Sequence, residues 1–185
     1  MGAVTYTWSN GATGDTMTLA QSDVGSAITV TATYTDTFGA VESVTSAATA
    51  AIDNGNDLPT GSVTITGTPT EDQVLTASDN LADADGMGTV TYTWSNGATG
   101  DTITLAQSDV GTTITVTASY TDGYGAEESV SSAATTAVSN VNDSPTGAVT
   151  ITGTAVEDGV LTASNSLADE DGMGAVTYTW SNGAT

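Results

Sequence analysis

The sequence predicts an all-β chain of tandem antiparallel β-sandwich domains in an elongated array, and three observations predict it. A thirteen-residue stretch, "MGAVTYTWSNGAT", occupies 1–13, returns once altered at 87–99 and unaltered at 173–185, so Trp8, Trp94 and Trp180 recur with an 86-residue period. Self-similarity at a fixed period is the signature of a repeat architecture. Hydrophobic residues make up 38% of the chain and alternate with Thr and Ser, as in "TVTYTW" and "TITVTASY". That period of two, in β-branched and aromatic residues, marks half-buried strands and not disorder. Gly, Asn and Asp clusters such as "DADGMG", "SNGATGD", "SDVG" and "TDGYG" separate these segments as turns do.

One uninterrupted repeat spans 56–141. Its first strand is "GSVTITG" (61–67), with Val63 and Ile65 on one face, and its second is "QVLTAS" (73–78). The third, "GTVTYTW" (88–94), points Val90, Tyr92 and Trp94 one way and Thr89, Thr91 and Thr93 the other. "TITLA" (102–106) follows, then "TTITVTASY" (112–120), which turns Ile114, Val116, Ala118 and Tyr120 inward. A last strand lies within "ESVSSAATTAV" (128–138). Residues 1–55 form a partial repeat holding the third strand onward, and 142–185 a partial repeat holding the first three. Met1 aligns with Met87 and Met173, so it is expected to be the internal methionine of a longer array. Tyr92 and Trp94 share a face with Val90, which makes core packing the expected role of these rings and not sugar stacking.

"LAQSDVGTTITVTASY" resembles the E–F corner of immunoglobulin-like domains, where a Leu precedes an Asp-x-Gly turn and an alternating F strand follows. "VTYTW" resembles their strand C with its core tryptophan, although the corner tyrosine and both cysteines are missing. The full repeat, with "NVNDSPTG", "TAVEDGVLTAS" and "LADEDGMGAVTYTW", looks like the tandem cadherin-like and immunoglobulin-like extender repeats of giant bacterial surface adhesins. The resemblance covers the whole chain. It implies a secreted bacterial protein at the cell surface, whose repeats contact their neighbours in the same chain.

The chain carries 22 acidic residues and no Lys, Arg or His, for a formal charge of −22. Nucleic acid and anionic membranes are excluded as partners, since phosphate binding needs Lys or Arg. No apolar run approaches the length of a membrane span. Without His or Cys, zinc and softer metals lack their preferred ligands, whereas oxygen-seeking cations do not. The missing Cys also removes any disulfide framework or thiol nucleophile. An enzyme is not expected, because the usual general bases and activated nucleophiles are absent.

In a sandwich of this strand order the acids gather at the ends. The joint after the complete repeat is expected to assemble Glu71 and Asp72 from "TEDQ", Asp109 from "SDVG", Asn140, Asn142 and Asp143 from "NVND", and Asp169 and Asp171 from "DEDG". The preceding joint offers Asn56, Asp57, Asp83 and Asp85. Each close carboxylate pair costs on the order of 1 kcal/mol even in water-like surroundings. Calcium takes about 6–8 oxygens at loose geometry and suits such a joint better than octahedral magnesium. The resemblance implies the same three sources of ligand: an acid between the first two strands, a linker "ND" and an Asp-x-Asp loop. Asp-Gly and Asn-Gly are also ordinary turn formers, and the Asp of an Asp-x-Gly turn, as Asp109 is, often only caps its own backbone.

The expected function is mechanical: a calcium-rigidified stalk that extends a cell-surface adhesin. A self-associating filament or sheath segment is the alternative, and a glycan- or ice-binding module a third. Trypsin should leave even the unfolded chain whole, for want of Lys and Arg. Proteases of other specificity should cut first near "NGND" (54–57) and "NVND" (140–143) in chelator. First cleavage within "TYTW" or "TITVTASY", read by mass spectrometry, would contradict the repeat boundaries.

Overall fold

The computed structural model describes residues 2–183, and among them the regular structure is β apart from two short 3-10 turns, Gln21–Asp23 and Gln107–Asp109. The strands are β1 (Thr5–Trp8), β2 (Val30–Thr35), β3 (Val41–Thr45), β4 (Val63–Thr66), β5 (Val74–Asp79) and β6 (Thr91–Trp94). There follow β7 (Thr102–Thr104), β8 (Val116–Thr121), β9 (Glu127–Ser131), β10 (Val149–Gly153) and β11 (Leu161–Asn165). They form four small sheets in the orders β1-β2-β3, β4-β5-β7, β6-β8-β9 and β10-β11. No helix among the described residues is long and apolar enough to cross a membrane.

The described chain divides into two compact units. One draws on Met1–Ser62, Asn80–Val90 and Ser119–Val130, and the other on Val63–Asp79, Thr91–Ala118 and Ser131–Thr185.

In the first unit β1 pairs antiparallel with β2, Tyr6 opposite Ala32 and Trp8 opposite Val30, and β2 pairs with β3, Ala32 opposite Val44. Period-two alternation therefore puts Tyr6, Trp8, Val30, Ala32 and Val44 on one face. Ile28 is the buried aliphatic side chain here, and Tyr120 the buried aromatic. Gly61 holds a left-handed turn at φ 96°, where an added Cβ would lie 2.5 Å from the carbonyl oxygen of Asn80. Only glycine fits both constraints.

The second unit carries most of the buried apolar side chains. β4 pairs with β5, Ile65 opposite Ala77, and β5 with β7, Leu75 opposite Ile103. Val63, Leu75, Ala77, Trp94, Ile103, Leu105, Ile114, Val116, Ala118 and Val138 are all buried. The alternation expected of 112–120 holds, with Ile114, Val116 and Ala118 buried and Thr115 and Thr117 less so. Trp94 satisfies its indole N–H on the carbonyl of Gly100 at 2.8 Å, as a buried indole must. Tyr92 ties β6 to β5 by donating its hydroxyl hydrogen bond to Asp79.

The sheet β10-β11 repeats the register of β4-β5 86 residues on: Ile151 faces Ala163 as Ile65 faces Ala77. Its burial differs. Leu75 is fully enclosed, while the equivalent Leu161 is 41% exposed. This offers a matched pair in one chain. Leu75→Ala should cost about 2–5 kcal/mol through lost burial and a residual cavity. Leu161→Ala should cost well under half of that, measured as the shift in urea midpoint. Equal costs would mean that Leu161 is enclosed to the same degree.

Candidate cation sites

One group of carboxylates converges among the described residues, in the second unit. There the connection between β4 and β5 runs beside the segment around Ser139. Thr70 bridges Ser139, the Glu71 N–H donates to the Ser139 carbonyl at 2.9 Å, and Ser139 donates to Pro69 at 3.0 Å. This docking buries Glu71 to 2% exposure. Its Oε2 accepts the Val141 N–H at 3.1 Å, and the Gln107 amide, turned so that both of its ends are satisfied, donates to Oε2 at 2.9 Å.

The linker then meets the "DEDG" loop. Asp171 accepts from the Asp143 N–H at 2.8 Å and from the Asn140 amide at 2.7 Å, while Asp169 Oδ1 accepts the Asp171 N–H at 3.0 Å. These bonds bring Glu71, Asp143 and Glu170 together, with one carboxylate oxygen from each lying within 4.8 Å of the others. Oxygens so grouped could serve together as ligands to one metal ion. A cleft of about 320 Å3, lined by Asp143, Ser144, Thr146, Ala168, Asp169 and Glu170, opens beside the group.

Asp72 is exposed and sits at φ 63°, a left-handed turn position that Asp tolerates, and Asp158 repeats it at φ 65°. Asp109 is buried with both oxygens engaged: Oδ2 caps the Ala106 N–H at 3.0 Å, and the Asn96 amide reaches both at 3.2 and 3.3 Å. The same arrangement stands 86 residues earlier, with Asp23 accepting from Ala20 and Asn10. Those donors, the Ala20 N–H first and the Asn10 amide second, hold the Asp23 carboxyl below the ordinary carboxylate range. Asn142 is exposed and donates to the Asp143 carbonyl at 2.9 Å.

In the first unit the linker is tied down in the same way. The Asp57 N–H donates to Asp85 Oδ2 at 2.7 Å, matching the Asp143–Asp171 bond, and the Asn56 amide donates to Glu128 Oε1 at 2.8 Å. Asp83 accepts the Asp85 N–H at 2.9 Å and the Tyr120 hydroxyl at 2.5 Å. Asp85, Asp122 and Glu128 are all buried here.

Three of these carboxylates escaped the sequence reading. Glu170 stands where the other loop has Ala84, "DEDG" against "DADG", and that single acidic difference was the available signal. Asp122 reads as a hairpin turn residue and Glu128 as the start of a strand, so only the folded chain reveals their burial. No family model, curated protein or solved structure matches the chain.

The tyrosines report on these surroundings. The Asp79 hydrogen bond, aided by burial and the charges of Asp79 and Asp101, pushes Tyr92 up to about 12. Burial, then the Asp83 hydrogen bond and the charges of Asp83, Glu128 and Asp122, push Tyr120 up further. Both raised values mean the fold binds the phenolic proton more tightly than the unfolded chain does. Their stabilisation is full below the ordinary tyrosine value of 10.0 and is lost as pH rises from there through about 12. A near-ultraviolet titration should show a late phase from about pH 12 upward, to which Tyr92 and Tyr120 both contribute, and Tyr92→Phe should remove one tyrosine's share of its amplitude. An undiminished late phase in that variant would sever the Tyr92–Asp79 link.

Proposed function

We propose that this chain is a run of extender repeats from a secreted bacterial surface protein, in which calcium stiffens the joints between successive 86-residue repeats. Each repeat is taken as an immunoglobulin-like sandwich with its neighbours in the same chain as its partners, and its role is mechanical and not catalytic. One observation carries the reading: Glu71, Asp143 and Glu170 present oxygens within 4.8 Å of one another in a chain with no Lys, Arg or His to neutralise them. Glu71 comes from the body of the repeat, Asp143 from the linker and Glu170 from the next repeat's loop. An ion held by all three restricts the linker between them. Asp171 shapes the site from behind, since it fixes Asp143 through the backbone and Asn140 through its amide.

Calcium that binds only the folded chain adds about 2.7 kcal/mol of stability at a hundredfold excess over its Kd. For a chain of this size that is on the order of 5–10 °C in Tm. Glu170→Ala should remove most of this rise, and it is a mild change, because Ala84 already fills the equivalent position. Asp169→Ala with Asp171→Ala should do the same. Calorimetry in calcium and in chelator decides: superimposable melts of the native chain would end the calcium reading.

A further inference from the structure

The middle of the chain shows what β5 looks like with a neighbour on each side. β7 lies along it antiparallel, Val74 opposite Thr104, Leu75 opposite Ile103 and Thr76 opposite Thr102. Backbone bonds carry the pairing past both ends of this ladder. The Ala77 N–H donates to the Asp101 carbonyl at 2.8 Å, and the Leu105 N–H to the Gln73 carbonyl at 3.0 Å. Val63, Leu75, Ile103 and Leu105 are all buried there.

One period later β10 and β11 keep the register of β4 and β5, but β11 pairs with β10 alone among the described residues. Val149, the counterpart of Val63, is 57% exposed, as Leu161 is at 41%. One period before β7, "DTMTL" (15–19) stands where the intact repeat has "DTITL" (101–105). Residues 16–19 form no strand, and Leu19 is 49% exposed where Leu105 is enclosed. One chain thus holds a strand edge with no neighbour and a strand-forming segment with no sheet. Their sequences are those that pair at 74–76 and 102–104, with Met17 for Ile103 as the one change. Open edges are templates for pairing with another chain.

We propose that copies of this 185-residue chain associate head to tail by strand complementation, residues 16–18 of one copy adding to the open edge of β11 in the next. The register follows from β5 and β7: Thr18 opposite Val160, Met17 opposite Leu161 and Thr16 opposite Thr162. Met17 and Leu19 then fill the space that Ile103 and Leu105 fill in the intact repeat, and Leu161 is enclosed as Leu75 is. Trp180 lines a cleft with Leu161, but residues 177–180 form no strand, so the identical "TYTW" of the incoming copy's β1 takes their place. The Asn165 amide, which donates to the Tyr178 hydroxyl, meets Tyr6 instead. Donor and acceptor surfaces differ, so the contact is heterologous and repeats from copy to copy into an open row or a closed ring. It requires no bound ion.

Sedimentation of the full chain across a range of concentrations reads the association. Mass should climb in whole-chain steps, and more readily at physiological than at low salt, because each copy carries a formal charge of −22. Leu19→Asp and Leu161→Asp change side chains that are exposed in the single chain, so the fold tolerates them. Each should weaken association by about tenfold or more, since pairing would bury the carboxylate. Phe38→Ser, at a 97% exposed position outside the contact, should leave it unchanged. The chain has no Cys, so an introduced disulfide reports the register. Chains carrying Thr16→Cys and Thr162→Cys, mixed and oxidised, should cross-link. Thr16→Cys mixed with Thr76→Cys should not, because β7 already occupies that edge of β5. A chain that stays monomeric at every concentration overturns the proposal. So does association that ignores both Leu19→Asp and Leu161→Asp, which assigns the contact to another surface, and so does equal cross-linking through Thr76→Cys and Thr162→Cys.

Discussion

Everything in this molecule is arranged around one electrostatic fact: 22 carboxylates share a chain with no cationic side chain. No acid can be neutralised by a salt bridge, so the fold has only backbone N–H groups, amides and hydroxyls to offer. The structure uses them systematically. Asp23 and Asp109 cap their own turns, Asp36 and Asp122 cap their hairpins, and Asp85 and Asp171 cap the linkers. Asn10 and Asn96 add an amide to the same two turn acids. Neutral donors satisfy lone pairs without removing charge. Where several such acids meet, as at Glu71, Asp143 and Glu170, the charge remains, and a metal ion could offset it.

The strands were legible because alternation is a local signal. Val63, Leu75, Trp94, Ile103, Ile114 and Val116 all fall on the face that a period of two assigns them. The boundaries were less so. The strand expected over 88–94 begins at Thr91, because Gly88 and Met87 are held by the Thr121 carbonyl and a bridge to Asp122 and not by a regular ladder. "TYTW" forms a strand at 5–8 and 91–94, but not at 177–180, so identical words take different structure according to what pairs with them. Pairing partners lie far off in sequence, and no local pattern encodes their presence.

The sites divide in the same way. The linker and Asp-x-Asp loops could be read directly, since "ND" and "DxDG" recur at the period, and the structure joins them by matching bonds from Asp57 to Asp85 and from Asp143 to Asp171. Glu71 was legible as part of "ED", although its near-complete burial was not. The burial of Asp122 lay out of reach because it goes with Gly123 closing against the Asp85 carbonyl, an approach of two loops far apart in the chain. An exposed turn aspartate and a buried one have the same sequence signature.

The hydroxyl-rich strand faces explain how such a charge can be tolerated. Thr31 pairs with Thr45, Thr64 with Ser78, Thr117 with Ser131 and Thr150 with Ser164, each through a cross-strand hydroxyl hydrogen bond of 2.8–3.0 Å. Such pairs satisfy the exposed faces internally and add a few tenths of a kcal/mol each to the sheets. Acids are few within the strands, Glu42, Asp79, Glu127 and Glu128 being the exceptions, and most lie in loops and turns, where their repulsion is screened beyond about 8 Å at physiological ionic strength. The sheets are held by burial and hydroxyl pairing, whereas interactions among the loop carboxylates are screened by salt. A single sequence period thus alternates hydroxyl-paired strands with acid-bearing turns.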